Sequence, residues 1–254
     1  MKVFTSYAWA CCAAMALAQG VAWGNETPAS QAIKSTTKSF TVKLGATRVI
    51  YQPGSSGSTL SVINPQDYPI LVQSKAYGED KTSDAPFIVT PPVFRLDGEQ
   101  QSRIRIVQTG GTFPADRESL NWLCITGIPP KPDDAWSEGK GPAPTEATLE
   151  VQLRINNCVK LLIRPAALKG EPTDVATSLT WRREGTRLIA TNPTPFYMNL
   201  KTLTVGGKKV EGLDYIPPHD SRQFTLPSGA SGSLEWTIIT DYGGDSRRYQ
   251  AQLQ

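Results

Sequence analysis

Histidine is almost absent from this 254-residue chain: His219 is the only one. A multi-histidine metal site is therefore excluded. A serine triad would depend on one residue in Ile216-Pro217-Pro218-His219-Asp220, a run that reads as a turn. The chain also lacks a G-x-S-x-G nucleophile elbow, a P-loop and an HExxH helix. No catalytic residue, cofactor or metal is expected, and no ATP-driven cycle. Neither sign of charge dominates: 26 Lys and Arg face 23 Asp and Glu, a net +3, which points to neither nucleic acid nor a membrane surface. Beyond the first residues there is no long stretch of helical period, which argues against a helical bundle.

What is present begins with an export signal. Met1-Lys2 precedes a mostly apolar run through Tyr7, Trp9, Cys11, Cys12, Met15 and Leu17, and the next charge is Glu26. Gln19 and Gly20 break the run before the roughly 20 apolar residues that a membrane span requires. Ala16-Leu17-Ala18 and Ala22-Trp23-Gly24 both offer small-residue cleavage sites, and a cut after Gly24 is expected. Trp9 and Ala10 do not form the leucine-led box of a lipid-modified cysteine. Removing residues 1–24 leaves about 230 residues, enough for two small domains. It also removes Lys2, Cys11 and Cys12, so Cys124 and Cys158 remain as an even pair in an oxidising compartment, and a single disulfide is expected.

The mature chain consists of short runs rich in Val, Ile, Thr and Leu, separated by turn residues, as strands require. Residues 40–51, 59–63, 70–77, 87–89, 102–108 and 120–125 form a first series. After Pro165, residues 179–183, 187–191, 197–205, 223–226, 234–241 and 248–253 form a second. The expected fold class is all-β, with two immunoglobulin-like β-sandwich domains in tandem over residues 25–165 and 166–254. Residues 127–146, rich in Pro, Gly and charge, form a loop longer than the roughly 12 to 15 residues usual in compact domains. That loop and the polar segment 25–38 are both expected to be mobile.

Directly after the loop, Ala147, Leu149, Val151, Leu153 and Ile155 alternate with Thr148, Glu150, Gln152 and Arg154, a strict period of two. Two roles are open for this strand. Its apolar side lines the protein's own core, or it lies at an edge and is offered to a partner by strand addition.

Several short motifs occur in order: Thr47-Arg48, Pro91-Pro92-Val93-Phe94-Arg95-Leu96, Asp116-Arg117-Glu118-Ser119-Leu120, Ile128-Pro129-Pro130, Val159-Lys160-Leu161-Leu162-Ile163-Arg164-Pro165, Asn192-Pro193-Thr194-Pro195-Phe196-Tyr197 and Asp241-Tyr242-Gly243-Gly244. Together they resemble the PapD-like family of periplasmic pilus and fimbrial chaperones. The long loop and the cysteine pair resemble its extended-loop branch, which serves Afa/Dr-type adhesins. The resemblance implies an L-shaped pair of domains with a cleft between them. It implies a non-enzymatic periplasmic chaperone that caps fimbrial or adhesin subunits by donor-strand complementation and delivers them to an outer-membrane usher. Arg48 and Lys160 match the two cations that anchor the subunit's C-terminal carboxylate. Ala147, Leu149, Val151, Leu153 and Ile155 match the donor strand. Glu118, Arg164 and Asp241 match a buried charge cluster that fixes the domains, and Cys124–Cys158 joins the strands flanking the loop. The main alternative is a secreted fibre subunit or adhesin module, which would be expected to carry an alternating donor segment at its N-terminus. The sequence leaves open whether the free chaperone self-associates.

Overall fold

The structure, a computed structural model, describes residues 34–130 and 148–253. The export signal, residues 25–33, and 131–147, including Ala147 and most of the long loop, lie outside them. Among the described residues, eleven strands precede Pro165: β1 Lys34–Phe40, β2 Lys43–Leu44, β3 Arg48–Tyr51, β4 Ser58–Ile63, β5 Ile70–Tyr77, β6 Phe87–Thr90, β7 Val93–Leu96, β8 Gln101–Gln108, β9 Ser119–Ile128, β10 Thr148–Arg154 and β11 Asn156–Ile163. After a short helix, α1 Pro172–Val175, come β12 Thr180–Glu184, β13 Arg187–Asn192, β14 Met198–Val205, β15 Lys208–Lys209, β16 Tyr215–Ile216, β17 Asp220–Thr225, β18 Ser233–Ile238 and β19 Tyr249–Gln252.

The first series makes a sandwich of a five-stranded sheet, β3-β11-β9-β5-β7, on a four-stranded one, β2-β4-β8-β6. Alternation decides which side chains meet: Leu60 and Val62, Val72 and Ala76, Ile104 and Ile106 are all buried in the shared core. In β11 both faces are covered, so its apolar residues run continuously rather than alternating. Leu161 and Ile163 enter this core, while Leu162 packs with Leu120 and Tyr197 in a separate cluster between the two halves. Full burial of each such side chain contributes about 1.5 to 3 kcal/mol. The second series pairs β12-β13-β17 against β15-β14-β18-β19, with β16 beside β14. Its core centres on Trp181 and Trp236, whose ring centroids are 5.2 Å apart.

Both halves use the same plug. Asn64 Nδ2 points at the carbonyls of Tyr68, Leu96 and Asp97 at 2.8 to 3.1 Å, and Asn64 Oδ1 accepts from the Gln66 amide. Asn192 Nδ2 points likewise at Phe196, Ile216 and Pro217, and Asn192 Oδ1 accepts from the Thr194 amide. Both asparagines are fully buried, so each ties a turn to a distant strand end through bonds that water cannot replace.

Three expectations change. Residues 40–51 are not one strand: β2 joins the sheet of β4, while β3 crosses to the other sheet and runs parallel to β11. Residues 34–38 are not a loose segment, because β1 pairs in parallel register with the whole of β10. Residues 127 and 128 belong to the end of β9 rather than to the loop. Cys124 and Cys158 are bonded, directly opposite each other on β9 and β11. They close a loop of 34 residues, worth about 3 to 4 kcal/mol on a chain-entropy basis.

Candidate functional site

β10 joins neither sandwich sheet. With β1 it forms a separate two-stranded ribbon. Leu149, Val151, Leu153 and Ile155 are 55, 38, 48 and 38 % exposed, so they do not fill the protein's own core. Gln152 and Arg154, on the opposite face, are exposed as well. Among the described residues the second edge of β10 has no strand beside it. A two-stranded ribbon is marginal alone, and an edge strand with an apolar row is a template for pairing with another chain.

The ribbon leads into β11, where Lys160 stands in register with Arg48 on β3. Arg48 is only 7 % exposed; its Nη1 donates to the Ile239 carbonyl at 3.2 Å, and its Nε is buried with no partner. Burial lowers its pKa, against the raising influence of Asp241 and Glu118. Lys160 Nζ donates to Asn199 Oδ1 at 2.6 Å and lies over the rings of Tyr215 and Trp122. Its pKa is pushed down to about 8, mainly by burial; Arg48, Arg222 and Lys81 add to this, and Asp214 opposes it. Two crowded cations with an unused donor can receive an anion, and a carboxylate would answer their charge.

Close by, Arg164 closes the junction between the halves. Its Nε donates to Glu118 Oε1 at 2.6 Å, and its Nη1 and Nη2 donate to the two oxygens of Asp241 at 2.6 and 2.9 Å. Glu118 Oε2 accepts from the Tyr197 amide at 2.8 Å. Burial raises the Glu118 pKa, while Arg164 works to lower it. The Arg164 pKa is itself raised: burial disfavours its charge, but the bonds to Asp241 and Glu118 outweigh that. The turn after Asp241 needs glycine. Gly243 has φ +85, and a Cβ there would come within 2.6 Å of Thr47 Oγ1.

Sequence reasoning missed Asn199, Trp122 and Tyr215, which surround Lys160, and Glu79, whose carboxylate accepts from the Tyr215 hydroxyl at 3.0 Å. No local pattern marks them, since the fold gathers them from four separate segments. His219 lies in the expected turn, exposed and at φ 54.

An exposed edge strand and two buried cations beside a salt-bridged junction are features able to hold another polypeptide. Residues 41–169 match the N-terminal domain and residues 174–250 the C-terminal domain of the PapD pili assembly chaperones. The chain belongs to that family, which is one of chaperones and not of enzymes. It is 55 % identical over 210 residues to the chaperone protein AfaB of Escherichia coli, covering 82 % of this chain and 85 % of that one. It is 50 % identical to the chaperone protein PsaB of Yersinia pestis, over 87 % of each chain. The crystal structure of the E. coli chaperone DraB matches with a TM-score of 0.78 and 53 % identity, over 87 % of this chain and 100 % of DraB. The SafB chaperone, solved with the Salmonella enterica SafA pilin, matches with a TM-score of 0.78 and 52 % identity, over 87 % of this chain and 100 % of that one.

Proposed function

We propose that this chaperone acts in the periplasm, after loss of residues 1–24, and caps fimbrial or adhesin subunits with its own β10 before handing them to an outer-membrane usher. Residues 25–165 form the domain that carries the donor strand, and 166–254 form the second domain. One observation carries this assignment above the others: the alternating strand stands clear of the core, with Leu149, Val151 and Leu153 exposed. The SafB chaperone solved with a pilin supports the subunit as partner. A subunit strand adds along the edge of β10 away from β1, and the side chains of 149, 151, 153 and 155, with Ala147, enter its apolar groove. Arg48 and Lys160 take the terminal carboxylate and so fix the register, where a slip of one residue would turn every apolar side chain outward.

Co-expression with a candidate subunit should yield a one-to-one complex. Arg48→Ala and Lys160→Ala should still fold cooperatively and fail to capture the subunit. If both variants still protect it as wild type does, the carboxylate anchor is wrong.

A further inference from the structure

Two of the largely buried cations at the domain junction are held in opposite ways. Arg164 is neutralised by Glu118 and Asp241. Lys160 has no carboxylate within ion-pair distance among the described residues. Its Nζ instead donates to the neutral amide of Asn199 at 2.6 Å and lies 4.7 Å from the Tyr215 ring centroid and 5.8 Å from that of Trp122. Both rings carry a second cation: Lys81 Nζ is 4.0 Å from the Trp122 centroid, and the Arg222 guanidinium is 4.5 Å from that of Tyr215. Cations and rings therefore alternate across the junction as Lys81, Trp122, Lys160, Tyr215 and Arg222.

The nearby anions are engaged elsewhere. Asp214 is paired with Arg222 at 2.6 Å, and Glu79 fastens both rings. The Glu79 carboxylate accepts from the Tyr215 hydroxyl at 3.0 Å, and its backbone carbonyl accepts from Trp122 Nε1 at 3.1 Å.

An amide oxygen and two ring faces attract an ammonium without cancelling its charge. A resident carboxylate in their place would compete with an arriving one. We propose that Asn199, Tyr215 and Trp122 are positioning residues that hold the Lys160 ammonium uncompensated where the subunit's terminal carboxylate arrives. Asn199 and Tyr215 come from the second domain, which thereby completes an anchor seated on the first. This rests on the carboxylate-anchor role given to Lys160 above.

The test uses the mature chaperone and a synthetic peptide of alternating apolar residues, made with a free C-terminal carboxylate and as its C-terminal amide. The ratio of the two affinities reads the anchor alone. Wild type should prefer the acid by about tenfold or more, the worth of a hydrogen bond to a charged group. Asn199→Asp places a carboxylate on Lys160; it should preserve or raise the melting temperature while bringing the ratio close to one. Tyr215→Phe, which keeps the ring, should keep the ratio, and Tyr215→Leu should lower it. If Asn199→Asp and Tyr215→Leu both keep the wild-type ratio while Lys160→Met loses it, the anchor stands and the positioning role is overturned. If wild type itself binds acid and amide alike, the anchor falls, and the positioning role with it. Should Tyr215→Leu fail to fold, Asn199→Asp decides alone.

Discussion

Replacing Leu149, Val151 and Leu153 together by Thr keeps β-propensity and removes the apolar row. In the free chaperone these side chains are 55, 38 and 48 % exposed and none belongs to either core, so the replacement leaves both cores intact. Exposed substitutions of this kind cost about 0.5 kcal/mol or less each. The same change at Leu123 or Ile125, which are fully buried, would cost about 2 to 5 kcal/mol per site. In a complex the three side chains pass from half exposure to full burial, which is about half of the 1.5 to 3 kcal/mol each that complete burial delivers. The triple variant should therefore lose roughly 2 to 4 kcal/mol of binding, a thirty-fold to thousand-fold rise in Kd. Denaturant unfolding without any subunit, followed by titration of the variant into a folding subunit, measures both halves. Lost cooperative unfolding in the subunit-free experiment would refute the donor role of β10.

Arg164→Met leaves the fully buried Glu118 carboxylate and the largely buried Asp241 without their counter-ion, and should cost about 3 to 5 kcal/mol in denaturant unfolding. Asn192→Ala strands three carbonyls at one plug; a loss of about 1 to 3 kcal/mol is expected, and Asn64→Ala should fall in the same range because it too bonds three carbonyls. The Lys160 pKa of about 8 lies below its ordinary 10.5, so between these values the folded chain binds fewer protons than the unfolded one. This group's contribution to stability therefore rises with pH across that window. Carboxylate capture needs the ammonium and should weaken over the same window, with proton uptake on binding; calorimetry in buffers of different ionisation enthalpy should show the uptake in wild type and not in Lys160→Met.

Strand positions were legible wherever one face is buried. Residues 70–77 show it best, because inward Ile70, Val72 and Ala76 leave a period of two in the sequence. In β7 and β1, where burial imposes no pattern, the signal failed. In β7 the exposed residues include Val93, and the alternation is blurred. β1 reads KSTTKSF and owes its pairing to backbone bonds with a strand more than a hundred residues away, which composition cannot encode. The crossing of the first strand from one sheet to the other is likewise a tertiary choice, since both of its parts are apolar on one side.

The candidate functional residues divide along the same line. The alternation of Leu149, Val151, Leu153 and Ile155 is visible in the sequence but equally compatible with a core strand, and only its exposure separates the two. Arg48 and Lys160 came from resemblance, because one arginine and one lysine carry no pattern of their own. What distinguishes them physically is the company each keeps. Arg164 sits at the same junction and is as basic as either, yet its two carboxylates commit it to structure. Arg48 retains a buried donor with no acceptor, and Lys160 is held by an amide and two rings. Buried charge that a fold neutralises serves the fold; buried charge that it holds in place and leaves unneutralised costs stability until a ligand arrives. At this junction that cost falls on the two cations in register on β3 and β11, at the foot of the exposed strand, where one bound carboxylate would relieve both.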